Sequence, residues 1–223
     1  MPPLLEIREV RYRYSREQPW ILDGISMSFE AGHVYCILGE NGSGKTTLLL
    51  VMAGLLEPSE GEVLLEGKPL REQLPSARRR IGILFQNPEV MLFNPTVLDE
   101  IAYGPRQLFP EDEARKRAVE TAKRLGIEGL LNRPTTSLSF GEKKIVALAS
   151  ILSYDPDIVL LDEPLSNLHP SRKKRVLETI SDLAGEGKLV VVTSPDENVL
   201  PSKCSSKSIL RRGKIITVPG GHG

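Results

Sequence analysis

The sequence contains only two cysteines, one tryptophan and no excess of either charge among its 223 residues. Two cysteines, Cys36 and Cys204, are too few for the disulfide framework that stabilises small secreted domains. Cys36 lies inside the apolar run 34–38, so we expect it to be a buried small hydrophobic residue. That role suits a protein of a reducing compartment.

Charge and hydropathy also exclude several classes of protein. The 29 basic side chains balance 29 acidic ones, which removes the global electrostatic argument for nucleic-acid binding. We expect the basic runs 78–80 and 172–175 to lie on solvent-exposed faces and not to bind nucleic acid. No stretch of about eighteen apolar residues is present, so no transmembrane helix is predicted. The first residues lack the pattern of a secretory signal. We therefore expect a cytoplasmic protein that a partner would have to hold at a membrane.

Strand-like and helix-like segments alternate along the chain, which predicts a parallel α/β sheet. Within the first strand, the alternation of apolar residues slips between Ile7 and Val10. The middle third is helical in character, with Ala114, Ala118 and Ala122 at helical spacing. The predicted strands are 5–14, 25–29, 34–38, 62–65, 158–161 and 189–192, and the helices that position motifs are predicted after Lys45 and over 141–153.

The strongest motif is a glycine-rich loop. Residues 39–46 read Gly-Glu-Asn-Gly-Ser-Gly-Lys-Thr and match the phosphate-loop pattern G-x-x-x-x-G-K-[ST]. The glycines let backbone N–H groups point at phosphate oxygens, and the following helix adds its positive N-terminal end. Lys45 is predicted to reach the β- and γ-phosphates and the Thr46 hydroxyl to hold Mg²⁺. A glycine-rich turn could match by chance, but this loop follows an apolar strand and opens a helix, which is the context that nucleotide binding requires.

A second apolar strand, 158–161, ends in Asp162 and Glu163. Alone, an apolar strand that ends in acids is commonplace. Beside a phosphate loop, the first carboxylate is well placed to hold Mg²⁺ and the second to polarise an attacking water. We therefore predict Asp162 as a magnesium ligand and Glu163 as the general base.

Residues 138–144 lie between these two motifs and read Leu-Ser-Phe-Gly-Glu-Lys-Lys. On composition alone, Ser139 and Glu142 could simply form a capping box at the start of a helix. Together with the other motifs, however, the sequence resembles the ATPase subunits of ABC-type transporters, whose signature is L-S-G-G-Q. The stretch 85–105, which includes Phe-Gln-Asn-Pro and Ile-Ala-Tyr-Gly-Pro, is similar to the ATPases of energy-coupling-factor and cobalt/nickel importers.

This resemblance implies a site for ATP and Mg²⁺ between two ATPase subunits. It implies that Gln86 is the Q-loop glutamine, which joins Thr46 and Asp162 at Mg²⁺. Tyr14 is implied to stack on adenine, with Tyr12 as its substitute. The expected catalytic residues are Glu163, Gln86 and Lys45. The expected nucleotide-binding residues are Tyr14, Gly39, Asn41, Gly42, Ser43, Gly44, Lys45, Thr46 and Thr47, with Ser139 and Gly141 on the nucleotide of the partner subunit.

The resemblance also implies the fold and its organisation. The expected fold is a phosphate-loop NTPase of ABC-ATPase type, with a mainly parallel sheet core, an N-terminal antiparallel β portion and an inserted α-helical subdomain. We expect a single domain, 1–223, in which 1–95 and 155–223 form the nucleotide-binding α/β core. About 96–154 are expected to form the helical subdomain with the signature.

The signature departs from the family pattern at two positions. Phe140 stands where the family has its first glycine, and Glu142 stands where it usually has glutamine. Phe140 adds bulk but removes no backbone donor. We therefore expect the Ser139 hydroxyl and the Gly141 N–H to remain able to donate to a phosphate.

A larger departure follows the last core strand, where Ser194 replaces the histidine that positions the γ-phosphate in the family. Serine has a shorter reach and cannot carry a positive charge. The other histidines, His33, His169 and His222, cannot be realigned into this position, and His169 itself replaces an aspartate of the D-loop, 166–169. We predict slow hydrolysis at this chain's own site and favour a heterodimer over a homodimer. Tolerated drift in an active enzyme is the alternative.

The remaining expectations concern partners and rival classes. The apolar segment 91–93 and the region near Tyr103 are expected to receive a transmembrane transporter subunit, unless they simply pack between the subdomains. That partner would hold the chain at the cytoplasmic face of the membrane, where the pair of ATPase subunits drives import. The rivals are a regulatory subunit that binds nucleotide without hydrolysing it, and a soluble ABC protein of DNA repair or translation.

Overall fold

Two β-sheets and six α-helices make up the part of the chain that the computed structural model describes, residues 3–197, 201 and 204–218. The strands are β1 (Leu5–Tyr12), β2 (Leu22–Phe29), β3 (Val34–Leu38), β4 (Glu60–Leu65), β5 (Lys68–Pro69), β6 (Ile81–Leu84), β7 (Ile158–Asp162), β8 (Leu189–Ser194), β9 (Ser206–Arg211) and β10 (Lys214–Val218). The helices are α1 (Lys45–Met52), α2 (Leu70–Ala77), α3 (Val97–Arg106), α4 (Glu111–Arg124), α5 (Phe140–Leu152) and α6 (Pro170–Gly185).

The larger sheet has six strands in the order β10-β9-β3-β8-β7-β6. Its neighbours pair in parallel except for the antiparallel hairpin of β9 and β10. Every residue of β7 and β8 is buried, because the sheet is covered on both faces. β3 and β7 lie on either side of β8 and end at the same edge. The glycine-rich loop after β3 therefore lies close to the acids at the end of β7.

The smaller sheet is antiparallel and has the order β2-β1-β4-β5. The predicted slip is confirmed, since the pairing of β1 with β2 shifts register between Ile7 and Val10. Glu9, inside this bulge, has a φ of 47°. The strand ends at Tyr12 rather than at Tyr14 as predicted. It ends there because the hairpin to β2 closes at that residue, which leaves 13–21 as its loop.

The larger sheet separates two hydrophobic cores. Val159 of β7 belongs to the core shared with α3, α5 and α6. Its neighbour Leu160 points to the opposite face, where it packs with α1 and the smaller sheet. α4 adds a narrow face of three small buried residues to the helical side, which confirms their predicted helical spacing: Ala114, Ala118 and Ala122.

A disulfide joins Cys36 of β3 to Cys204, with the two Cα atoms 5.9 Å apart. Cys36 is buried as expected, but the prediction that it serves only as a small hydrophobic residue is wrong. The parallel pairing of β3 with β9 brings the segment before β9 alongside β3. This proximity is hidden in the sequence because 168 positions separate the two residues. The expectation of a reducing compartment loses the support that Cys36 gave it.

We predict that this disulfide stabilises the fold. A cross-link across 168 positions restricts the unfolded chain, and the loop-entropy relation gives about 5 kcal/mol for such a loop. Cys204→Ser should therefore lower the free energy of unfolding by several kcal/mol relative to the oxidised wild type, as measured by urea denaturation.

The control for this prediction is reduction with dithiothreitol. Reduction should bring the wild type to the stability of Cys204→Ser and leave that variant unchanged. Equal urea midpoints for the oxidised and reduced wild type would contradict the prediction.

Candidate nucleotide-binding site

The loop 39–44 joins β3 to α1 at the carboxyl edge of the larger sheet. A Cβ at Gly39 would lie 2.5 Å from Ser43 Oγ and 2.6 Å from the Leu210 carbonyl oxygen, so the loop packs against β9 only with glycine there. Gly44 has a φ of 103°, in the left-handed region that favours glycine. Steric constraints at two positions thus explain why the loop is rich in glycine.

A cavity of about 390 Å³ opens beside this loop. Within the described chain, no side chain caps α1 and its first turn carries no acid, so its N-terminal N–H groups are left for an anion. The Ser43 hydroxyl is buried and has no hydrogen-bond partner among the described residues. These features fit phosphate groups. The lining residues are Ile21, Asn41, Gly42, Gly44, Lys45, Thr46, Thr47, Gln86 and Glu163.

Lys45, the first residue of α1, is only 5% exposed. Its Nζ donates to the carbonyl oxygens of Gly39 at 2.8 Å and Glu40 at 3.1 Å. The same ammonium lies 3.4 Å from Glu163 Oε1. A buried ammonium at the wall of the cavity supplies the charge that makes hydrogen bonds to phosphate strong.

Asp162, at the end of β7, is 1% exposed and accepts two hydrogen bonds from threonines. The Thr46 hydroxyl donates to Oδ2 at 2.6 Å, and the Thr193 hydroxyl of β8 donates to Oδ1 at 2.7 Å. Sequence reasoning did not single out Thr193. Its signal was a polar residue that ends an otherwise apolar strand, next to the strand that ends in Asp162.

Polar contacts restrain both the backbone and the carboxylate of Glu163. Its N–H donates to Thr193 Oγ1 at 3.1 Å, and its φ of 47° places it in the left-handed region. Gln86 Nε2 donates to Oε2 at 3.2 Å, while Oε1 faces the Lys45 ammonium. The structure therefore brings the three expected catalytic side chains together at the cavity.

The donor set suits a hard cation. Thr46, Asp162 and Gln86 offer hydroxyl, carboxylate and amide oxygens, the ligand types that Mg²⁺ takes together with phosphate oxygens. Across residues 3–197, 201 and 204–218, no cluster of three or more His, Cys, Asp or Glu side chains is arranged to hold a metal ion.

Tyr14 does not line the cavity and is 59% exposed. Its hydroxyl is 3.5 Å from Thr47 Oγ1 of α1. Its ring contacts that of Tyr12 edge to face, with centroids 5.2 Å apart. Tyr12 is 8% exposed, so of these two tyrosines Tyr14 has the more accessible ring.

The signature segment lies apart from this cavity, since neither Ser139 nor Gly141 lines it. Ser139 and Glu142 form the capping box at the start of α5, as their spacing predicted. The Ser139 hydroxyl donates to Glu142 Oε2 at 2.9 Å. Arg133 and Arg172 each donate to Glu142 Oε1 at 3.3 Å. The hydroxyl that was expected to serve a phosphate is therefore engaged within its own helix.

The hydroxyl of Ser194 is engaged as well. Ser194 is 4% exposed, and its Oγ donates to the Asp196 carbonyl oxygen at 2.7 Å and accepts from the Asp196 N–H at 3.1 Å. A second cavity of about 200 Å³ lies beside it and also touches Glu163. His169 is exposed in the D-loop and contacts Ser171, whereas His222 lies outside the described residues.

Comparisons with known proteins identify the family. Residues 22–166 match the family model described as ABC transporter. The chain is 36% identical over 217 residues to the energy-coupling factor transporter ATP-binding protein EcfA of Methanocaldococcus jannaschii, with 96% of this chain and 77% of that protein covered. It is 37% identical over 218 residues to EcfA2 of Clostridium perfringens, with 96% and 76% covered.

Solved structures agree with this result. The chain matches cbiO1 from Clostridium perfringens, part of the ABC transporter complex cbiONQ, with a TM-score of 0.85, 35% identity, and 97% of this chain and 88% of that chain covered. It matches the dimeric ATP-binding cassette MJ0796 bound to ADP and Pi with a TM-score of 0.87, 27% identity, and 97% and 100% covered. The chain therefore belongs to the ABC transporter family, among the energy-coupling factor transporter ATP-binding proteins. The expected fold class and ATPase class are confirmed.

We predict that the capping box makes stability depend on pH. Hydrogen bonding by the Ser139 backbone, together with Arg133 and Arg172, lowers the pKa of Glu142. A carboxyl with a lowered folded-state pKa stabilises the fold above its ordinary value, and this contribution is lost as pH falls through the folded-state value. Glu142→Gln should therefore lower the melting temperature at pH 7, and the difference from wild type should shrink below about pH 4.

Melting temperatures measured by circular dichroism at pH 7 and below about pH 4 would check this prediction. Glu128→Gln is the matched control, because Glu128 is exposed and has no ion-pair partner within the described part of the chain. A deficit of Glu142→Gln that is equally large at both pH values would contradict it.

Proposed function

We propose that this chain binds MgATP beside the loop 39–44, pairs with a second ATPase subunit, and drives import through a transmembrane partner. The observation that carries the proposal is the convergence of Lys45, Thr46 and Glu163 on one cavity, with Asp162 hydrogen-bonded to Thr46 behind it. The names of the relatives support the coupling to a transporter. The placement that follows is at the cytoplasmic face of the membrane. In the described ranges, no helix is both long and apolar enough to span a bilayer.

The loop amides and Lys45 would hold the phosphates, and Tyr14 would stack on the adenine. To do so, the Lys45 ammonium exchanges the carbonyl oxygens of Gly39 and Glu40 for phosphate oxygens. Thr46, Gln86 and Asp162 would hold Mg²⁺, which neutralises charge on the phosphates. Glu163 would accept a proton from the attacking water.

The signature supports the pairing of two subunits. Ser139 and Gly141 do not line the cavity of their own chain, so we assign them to the nucleotide of a partner. The solved cassette MJ0796 is a dimer with ADP and Pi. A nucleotide that contacts both subunits favours the closed pair, and this differential binding is what converts binding into motion. In this proposal, residues 96–154 move with the signature.

We favour a heterodimer because this chain's own site lacks a cationic group at Ser194. The serine hydroxyl is already satisfied by Asp196. A partner that carries its own histidine would hydrolyse ATP against the Ser139 and Gly141 of this chain. The rival is a regulatory subunit that never hydrolyses ATP. The experiment below distinguishes the two, because the rival would bind nucleotide without turnover.

We predict that Ser194→His raises the turnover of the purified chain by about tenfold or more, because an imidazole can hold the γ-phosphate and the attacking water. The cavity of about 200 Å³ beside Ser194 offers room for the ring. The measurement is phosphate release at saturating MgATP.

Ser194→Ala is the control and should leave turnover low. Robust turnover of the wild type that Ser194→His does not change would refute the weakened site. Nucleotide binding without turnover in either protein would favour the regulatory rival.

The surface for the membrane partner centres on Phe93 and Tyr103. Their rings pack edge to face with centroids 4.8 Å apart, yet they are 66% and 45% exposed. Met91 and Leu92 instead pack against the helical core. The alternative of packing between subdomains therefore applies to those two residues and not to the aromatic pair. We assign the aromatic pair to an apolar helix of the transmembrane subunit.

We predict that Phe93→Asp abolishes co-purification with the transmembrane subunit, because a carboxylate would have to be desolvated at an apolar contact. Ile216→Asp is the matched control, since Ile216 is 58% exposed on the distant strand β10. Undiminished association of Phe93→Asp, measured by pull-down, would refute the assignment.

A further inference from the structure

Lys144 is a buried charged residue to which the mechanism above gives no role. It lies in the second turn of α5 and is 1% exposed. Its Nζ donates to the Glu163 carbonyl oxygen at 3.0 Å, to Ser166 Oγ at 2.6 Å and to the Ser166 carbonyl oxygen at 3.4 Å. One ammonium thus uses its three donors on the turn that follows the catalytic strand β7.

That turn has an unfavourable backbone. Glu163 and Asn167 have φ values of 47° and 60°, in the left-handed region, which is unfavourable for a residue such as glutamate. The Glu163 carbonyl oxygen also accepts from the N–H and the hydroxyl of Ser166. Several acceptors of one turn therefore converge on Lys144, and removal of the ammonium would leave them buried with fewer donors.

The ammonium is also shielded from water. The ring of Phe140 lies with its centroid 5.6 Å from Lys144 Nζ, within reach of a cation–π interaction. Burial lowers the pKa of Lys144 to about 8, against the charges of Glu163 and Asp162. The contact with Lys144 explains what the Phe140 ring does at a position where ABC-type ATPases have glycine.

We propose that Lys144 is a positioning residue that fixes the turn 163–167 to the signature helix α5 and thereby aims the Glu163 carboxylate at the cavity. The proposal rests on the proposed function and deepens it. When α5 moves on pairing with a second subunit, the contacts of Lys144 carry that movement to the turn that contains Glu163. A residue that merely filled the core would not need three polar contacts with one turn.

The test compares Lys144→Met with wild type by hydrogen–deuterium exchange and by kinetics. Exchange of the backbone amides of Glu163 and residues 165–168 should become about tenfold faster. The Kd for MgATP should stay within about threefold, and the kcat of the purified chain, whose own site uses Glu163, should fall about tenfold at unchanged KM. Lys143→Met is the matched control: this neighbouring lysine pairs with Glu89 at the surface and should leave exchange at 163–168 unchanged.

Ser166→Ala provides a second variant that disturbs the core less. It should shift exchange and kcat in the same direction by a smaller factor. The double variant should be no worse than Lys144→Met, because both residues act through one contact. If Lys144→Met does not fold, loss of kcat in Ser166→Ala at unchanged Kd and melting temperature supports the proposal.

Two results would overturn the role of Lys144: a folded Lys144→Met with wild-type exchange and kcat, or fully additive effects of the two substitutions. Unchanged exchange and kcat in Ser166→Ala, when Lys144→Met does not fold, would also overturn it. Failure of the wild type to bind MgATP would instead refute the proposed function, so the two failures can be told apart.

Discussion

The parallel, in-register pairing of β3, β8 and β7 is the constraint on which the site depends. Leu38 pairs with Ser194 and Asp162 with Thr193, so the ends of three strands meet along one edge. The glycine-rich loop and the acids are about 120 residues apart in sequence and come together only through this register. A slip of one residue would turn Asp162 to the opposite face of the sheet.

Around that edge, Glu163, the proposed general base, is restrained through both its side chain and its backbone. Lys45 and Gln86 hold the side chain of Glu163, whereas Thr193 and Lys144 hold its backbone. Lys45, Thr193 and Lys144 are buried, whereas Gln86 is exposed. In a buried environment a satisfied polar network is rigid and an unsatisfied one is costly. In the proposed function, Lys45 would exchange its carbonyl partners for phosphate oxygens within a site whose side chains are already held in place.

Local patterns carried the parts of this structure that could be predicted. The glycine-rich loop, the capping box of Ser139 and the bulge in β1 each depend on residues a few positions apart. The disulfide, the hydrogen bond from Thr193 and the contacts of Lys144 depend on strand order and on side chains that meet across the fold. The hairpin of β9 and β10 was missed because polar residues interrupt the apolar pattern of its strands. Resemblance supplied Gln86 and Tyr14, which composition alone could not assign.

Glu100 of α3 restrains the backbone beside the exposed aromatic pair, Phe93 and Tyr103. Its buried carboxylate accepts from the N–H groups of Phe93 and Asn94 at 2.9 and 2.8 Å, while Tyr103 lies on the same helix. Both rings are thus held to the same helix, and the hydrogen bonds to Glu100 restrain the loop that carries Phe93. In the proposed complex, a force that the transmembrane subunit exerts on Phe93 would therefore act directly on α3.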